Sequence, residues 1–218
     1  MEIPDPVAIR RIPEKMRFSN SVVSLAAVVP VALASIPYSQ YILAPKSRTL
    51  YPISVHSTNG SVTYPESLTS ANGSSIFTGD AATAYDFGIN IAGLVTVTIG
   101  SVNSSSSEYI GVTFSESSLW VSNRSSDATA DAGKDETLWF HVNGTGRYTA
   151  PKEKVRGGFR YMTLVHNGTG SVEVTGAEVH YTAMPHWEGD ALGNYTGYFH
   201  CDGMFSLLLL ATSSAGLR

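Results

Sequence analysis

Between Tyr51 and Thr182 the chain consists of short runs of Val, Ile, Thr, Tyr and Phe separated by clusters of Gly, Ser, Asn and Asp. Such punctuation marks strands joined by turns. Alternation is clearest in residues 94–99, 109–114 and 159–165, where one parity is apolar and the other is Thr-rich or mixed. Half-buried strands need this pattern, because successive side chains point to opposite faces. Residues 137–142, 171–174 and 178–181 repeat it. Roughly six to nine strands with no helical period between them predict an all-β fold, an antiparallel β-sandwich or jelly roll. Two gaps, 101–107 and 122–135, are polar enough to be solvated loops.

The two ends break the β pattern. Near the N-terminus Arg10, Arg11, Lys15 and Arg17 precede an apolar run at 22–33 that closes on Ala32-Leu33-Ala34. This is the layout of a secretory signal peptide, with cleavage expected after Ala34. Pro30 interrupts the run, which falls short of the roughly 20 apolar residues that span a bilayer, so no permanent membrane anchor is expected. Met16 followed by Arg17 would itself make a normal start, so a spurious extension of the reading frame is the expectation for residues 1–15. Near the C-terminus Asp202 is placed to cap a short helix through Met204, Phe205 and the leucines at 207–210. That helix is apolar nearly all round, a character that belongs inside a larger helical body. The expected division is therefore a signal segment at 1–34, a β-sandwich at 35–185, and at 186–218 a junction with the truncated first helix of a missing helical domain.

Charge and cysteine content narrow the function classes. The formal net charge of −4, with its basic residues scattered, offers no stripe for phosphates, so nucleic acid is not an expected partner. Cys201 is the only cysteine, which excludes an intrachain disulfide and leaves stability to core burial. Seven of the nine asparagines, Asn59, Asn72, Asn103, Asn123, Asn143, Asn167 and Asn194, head N-glycosylation sequons. Glycans must sit in water, so the sequons predict exposed loops and a secreted, extracellular glycoprotein.

Candidate chemistry is sparse. Asp86 and Glu116 are the best-placed carboxylates, but both lie in strand patterns where a carboxylate more often accepts hydrogen bonds from arginine than moves protons. Arg156 and Arg160 are the matching donors, since guanidinium grips a carboxylate with two parallel bonds. A structural ion pair of Asp86 or Glu116 with Arg160 is the expectation. His166, His180 and His186 show no ligand spacing and read as packed or surface histidines. The acidic residues Asp127, Asp131 and Asp135 after Asn123 do not follow the alternation and glycine of an EF-hand, so no metal is expected. With no serine elbow and no phosphate loop, no cofactor is expected either. Trp120, Trp139 and Trp187 are the candidates for stacking against sugar rings.

Five stretches resemble a known family. Residues 85–97, Tyr-Asp-Phe-Gly-Ile-Asn-Ile-Ala-Gly-Leu-Val-Thr-Val, are similar to the Asp-Phe-Gly-x-Asn-x-x-Gly strand of α-L-rhamnosidases of glycoside hydrolase family 78. Residues 112–119 resemble that family's next strand with its embedded glutamate. Residues 156–164 resemble its Gly-Phe-Arg-Tyr strand. Residues 183–187, Ala-Met-Pro-His-Trp, resemble the junction into its catalytic domain, and residues 198–202 the entry to the first helix there. The resemblance implies an accessory sandwich ahead of an inverting (α/α)6 catalytic barrel that removes terminal α-L-rhamnose from plant glycosides. In that family the acid and base lie in the barrel, so no catalytic residue carries over to this chain and no activity is expected of it alone. Its implied partner is that barrel, with rhamnosylated glycans as a second possibility. The alternative is a free-standing, lectin-like carbohydrate-binding module.

Overall fold

The computed structural model describes residues 42–127, 135–189 and 191–193. The signal segment, the helix expected after Asp202, and Asp131, Asn194 and Cys201 lie outside the described residues. Eight strands form the fold: β1 (Thr49–Leu50), β2 (Ser54–Thr63), β3 (Ser75–Asn103), β4 (Glu108–Ser115), β5 (Leu138–Val142), β6 (Gly146–Thr149), β7 (Arg156–Asn167) and β8 (Ser171–Tyr181). All pair antiparallel. Helix among the described residues is confined to short 3-10 turns such as Pro65–Thr69 and Ser118–Trp120.

Strand β3 makes the two layers. Its first part pairs with β2 on one side and, through residues 81–86, with β7 on the other. Strands β4 and β5 continue that layer beyond β7. Past Asp86 the register breaks, and beyond Gly93 β3 leaves β7 and pairs with β6 and with β8, which also pairs with the first residues of β3 at 75–78. Gly88 sits at the break with φ +77°, a backbone that L side chains rarely adopt, and a Cβ there would lie 2.6 Å from Ile53 Cδ1. The run read in the sequence at 94–99 is thus the second half of one 29-residue strand.

The core fills the space between the layers. Ile110, Val112 and Phe114 of β4, Met162 and Leu164 of β7 and Tyr85 of β3 meet Val95, Val97, Ile99, Val172, Val174, Ala177 and Val179 from the other layer. Each strand contributes every second residue, as the alternation requires. The outer face of the β2–β3–β7–β4–β5 layer carries small or polar residues: Ala82, Ala84, Thr113, Ser115, Thr163 and Val165. These are buried too. The β4–β5 connection folds back over the end of β4, with Thr113 Oγ1 donating to Ser122 O (2.5 Å), the Asp127 amide to Phe114 O (2.9 Å), and the Phe114 amide to Ser126 Oγ (3.1 Å). The other polar gap is shorter than the sequence suggests, since β3 runs to Asn103 and β4 starts at Glu108.

Beyond β8 the chain wraps around Arg48. Its guanidinium donates to the carbonyls of Tyr181, Ala183, Met184 and Trp187 at 2.5–2.9 Å. Residues 183–187 are therefore pinned to the start of β1 by one side chain.

Candidate functional site

Three of the strings singled out in the sequence meet at one corner of the sandwich. Arg160 of β7 grips Asp86 of β3 with two parallel bonds, Nε to Oδ1 and Nη2 to Oδ2, each 2.8 Å. The Gly88 amide donates to Asp86 Oδ1 at 2.6 Å, so the carboxylate also holds the turn at which β3 changes layers. Arg160 pulls the Asp86 carboxyl below its usual range against the upward push of burial, and the Gly88 amide adds to the lowering. Glu116 is not the Arg160 partner. Its carboxylate lies over Gly158 of the same strand, close enough that a Cβ there would be 2.7 Å from Oε1. Arg156 stands 3.7 Å from Asp135 and 5.7 Å from the centre of the Phe114 ring.

Beside this corner is a cleft of about 680 Å³ lined by Glu116, Trp120, Asp127, Arg156 and Gly158. Trp120 is 69% exposed, and Asp127 Oδ2 accepts from the Glu116 amide at 2.7 Å. Inverting glycoside cleavage needs one carboxyl kept protonated opposite a second that activates water. Asp86 is bound on both oxygens to a cation and held ionised, the opposite of what a general acid requires.

A second site lies on the outer face of the same layer. Register aligns Asn59, Ala82, Val165, Gly111 and Trp139 across β2, β3, β7, β4 and β5. The middle of the row is small. A Cβ on Gly111 would come within 2.6 Å of Trp139 Cζ3, so glycine lets the indole lie against the sheet. The result is a groove of about 1000 Å³ with an Ala82–Val165 floor, a Trp139 wall, and Asp80, Arg124 and Glu136 on the rim. Trp139 is 42% exposed. An apolar floor, one aromatic face and a few polar groups are the makings of a small-ligand site. The sequence contained the signal: Phe140 and Trp139 have opposite parity, and with Phe140 in the core Trp139 faces out.

Sequence reasoning missed Glu108. At the far end of β7 its carboxylate and the His166 ring are both fully buried, with Nε2 and Oε2 2.7 Å apart. His166 Nδ1 is 2.6 Å from Gly79 O, and the Gly170 amide donates to Glu108 Oε1 at 3.1 Å. Gly79 O can only accept, so Nδ1 donates to it, and Nε2 faces the Glu108 carboxylate. Burial pushes the Glu108 carboxyl up, but hydrogen bonds from Ser104, the Gly170 amide and His166 outweigh it, and the net direction is down. Gly168 closes over the pair, leaving no room for a Cβ, which would lie 1.6 Å from Glu108 Oε2. With both side chains shut off from solvent, this cluster ties β3, β4, β7 and the β7–β8 turn together.

The remaining predicted residues are scattered. Trp187 is half-buried, 5.6 Å from the His186 ring, and His180 is exposed on β8. Among the described residues no group of His, Cys, Asp or Glu is arranged to hold a metal ion. The six described sequon asparagines are all exposed, and Asn59, Asn123 and Asn167 line the Trp139 groove.

The chain is thus an all-β antiparallel sandwich with a polar clamp at the layer crossing and an open groove on one outer face. No family model and no curated protein matches it. Among solved structures it is similar to a rhamnosidase of Klebsiella oxytoca with rhamnose bound (14% identity, TM-score 0.44, 66% of this chain and 30% of that one). It is also similar to a rhamnosidase of glycoside hydrolase family 78 from Bacillus sp. GL1 (18%, 0.39, 55% and 12%) and to a fucose-binding module of Streptococcus pneumoniae (15%, 0.36, 61% and 96%). The chain spans less than a third of either rhamnosidase. Likeness at these scores carries no argument about activity, which has to come from the chain's own residues.

Proposed function

We propose that this chain is the accessory, non-catalytic sandwich of a secreted α-L-rhamnosidase-like glycoside hydrolase, serving to cover and position a helical catalytic barrel, and that it cleaves nothing by itself. The observation that supports this reading is the corner where the resembling strings converge. Asp86 of the first string is clamped by Arg160 of the third, and Glu116 of the second lies over Gly158 of the third. Residues far apart in sequence are thus spent on holding the layer crossing and not on acid–base work. The Arg48 anchor on residues 183–187 fits the same reading, since a module that positions a following domain needs a rigid exit.

The test is an assay of the purified chain on an aryl α-L-rhamnoside. No turnover is expected. Hydrolysis lost on Asp86→Asn or Glu116→Gln would overturn the reading. The groove with its half-exposed Trp139 favours a second reading, a free-standing carbohydrate-binding module. Calorimetric titration with rhamnose and rhamnosylated glycosides separates the two, because binding tighter than about 1 mM selects the module and heat equal to that of buffer selects the accessory role.

A further inference from the structure

Three sequon asparagines, Asn59, Asn123 and Asn167, line one groove whose wall is a tryptophan. We infer that this groove is a binding site for the chain's own N-glycan: the proximal N-acetylglucosamine residues carried by Asn167 stack on the Trp139 indole. The inference rests on the export reading, because only a secreted chain meets the glycosylation machinery, and it goes beyond the accessory role by naming what the groove holds.

Register places Asn167 nearer the indole than Asn59. It is the last residue of β7, opposite Tyr109, and two residues along, Val165 is opposite Gly111, which is opposite Trp139. From Asn167 to Trp139 is thus two strand spacings, roughly 10 Å across the sheet, and one two-residue step, roughly 7 Å along it. The second sugar of a chitobiose core covers that separation. Asn59 stands at the other end of the row, four spacings from the indole, roughly 19 Å. Asn167 and Thr169 are both exposed in the tight β7–β8 turn, accessible to a transferase.

The groove's chemistry matches a sugar better than a peptide or a lipid. Gly111 lets the indole rest its inner face on the sheet and turn the outer face to the groove, where the apolar face of a pyranose stacks. Asp80, Glu136 and Arg124 on the rim supply partners for hydroxyl and acetamido groups. Along the path from Asn167, Tyr109 stacks on His141 with centroids 4.9 Å apart, which extends the aromatic strip. Tethering decides between this ligand and a free one. A covalently attached sugar is present at an effective concentration in the millimolar range, so even stacking too weak to capture free saccharide is substantially occupied.

The experiment uses the full chain secreted from a glycosylating host, with Trp120→Phe and Trp187→Phe so that Trp139 is the sole tryptophan. Glycopeptide mass spectrometry reads occupancy, and acrylamide quenching of Trp139 is measured before and after enzymatic glycan removal from the folded protein. Expected are an occupied Asn167, and on deglycosylation a red shift of Trp139 emission with loss of protection from quenching. Asn167→Gln should reproduce that change, whereas Asn59→Gln and Asn123→Gln should not. Unchanged quenching after glycan removal overturns the inference, as does a response that follows Asn59 or Asn123 instead. Glycans at Asn72, Asn103 or Asn143 with Asn167 bare overturn it while sparing the export reading. Bare asparagines throughout overturn both.

Discussion

Strand β7 contributes a carboxylate's partner toward each end, an arginine and a histidine, and the two pairs differ in their access to water. At its start Arg160, whose side chain is 40% exposed, reaches across the surface to Asp86. At its finish His166 meets Glu108 with neither side chain exposed at all. Arg160 keeps solvent as a substitute partner and Asp86, 14% exposed, keeps part of one, so losing a partner here costs less than in a sealed pair. The buried pair has no substitute, and removing one member strands the other in a medium that cannot solvate it. Similar chemistry therefore has different duties: one pair trims a strand crossing, the other joins β3, β4, β7 and the β7–β8 turn away from that crossing.

The comparison breaks first, if it breaks, on Glu108→Ala. The stranded His166 ring is expected to cost about 3–5 kcal/mol, read as a fall in the urea midpoint with unchanged slope. Asp86→Ala should cost less, about 1–2 kcal/mol, since it removes a half-exposed bidentate bond and the Gly88 contact. Equal losses in the two variants would show that burial does not distinguish the ends.

The two ends also differed in how well they could be read from residues alone. Asp86 and Arg160 were visible because both sit in strand strings rich enough to suggest that a carboxylate and a guanidinium pair. Glu108 follows four serines, and that composition marks a solvated loop; its partner is 58 residues away, so only strand register reveals the contact. The all-β class and most strands followed from alternation, which is local. The continuity of β3 did not, because Gly88 and Gly93 look like turn punctuation when they in fact let one strand cross between layers. The Trp139 groove depended on what stands opposite it on the neighbouring strand, the absent side chain of Gly111, 28 residues earlier in the chain.

Acid sharpens the comparison with a smaller effect. Both carboxyls have folded pKa values below their ordinary ones of 3.8 for Asp86 and 4.5 for Glu108. A group so shifted contributes stability that is complete above its unfolded pKa and disappears as pH falls through the folded one. Stability should therefore be flat near neutrality and decline from about pH 5 downward. Glu108→Gln and Asp86→Asn should each flatten that decline, as followed by thermal unfolding from pH 7 to pH 3. A decline identical to wild type in both variants would assign acid sensitivity to other carboxylates.

Salt gives the finest separation, because mobile ions reach only one of the pairs. The Debye length shrinks from about 8 Å at physiological ionic strength to about 3 Å at 1 M. Counter-ions can gather around Arg160 and weaken its hold on Asp86, but none can approach Glu108 or His166 without opening the fold. A double-mutant cycle on Asp86 and Arg160 should accordingly give a coupling energy that drops between low and high concentrations of sodium chloride. The cycle on Glu108 and His166 should give the same coupling at both concentrations. If the buried cycle proved the more salt-sensitive, water and ions would have to enter that end of the sandwich in the native state, and the difference between the two ends of β7 would have to be attributed to geometry in place of solvent exclusion.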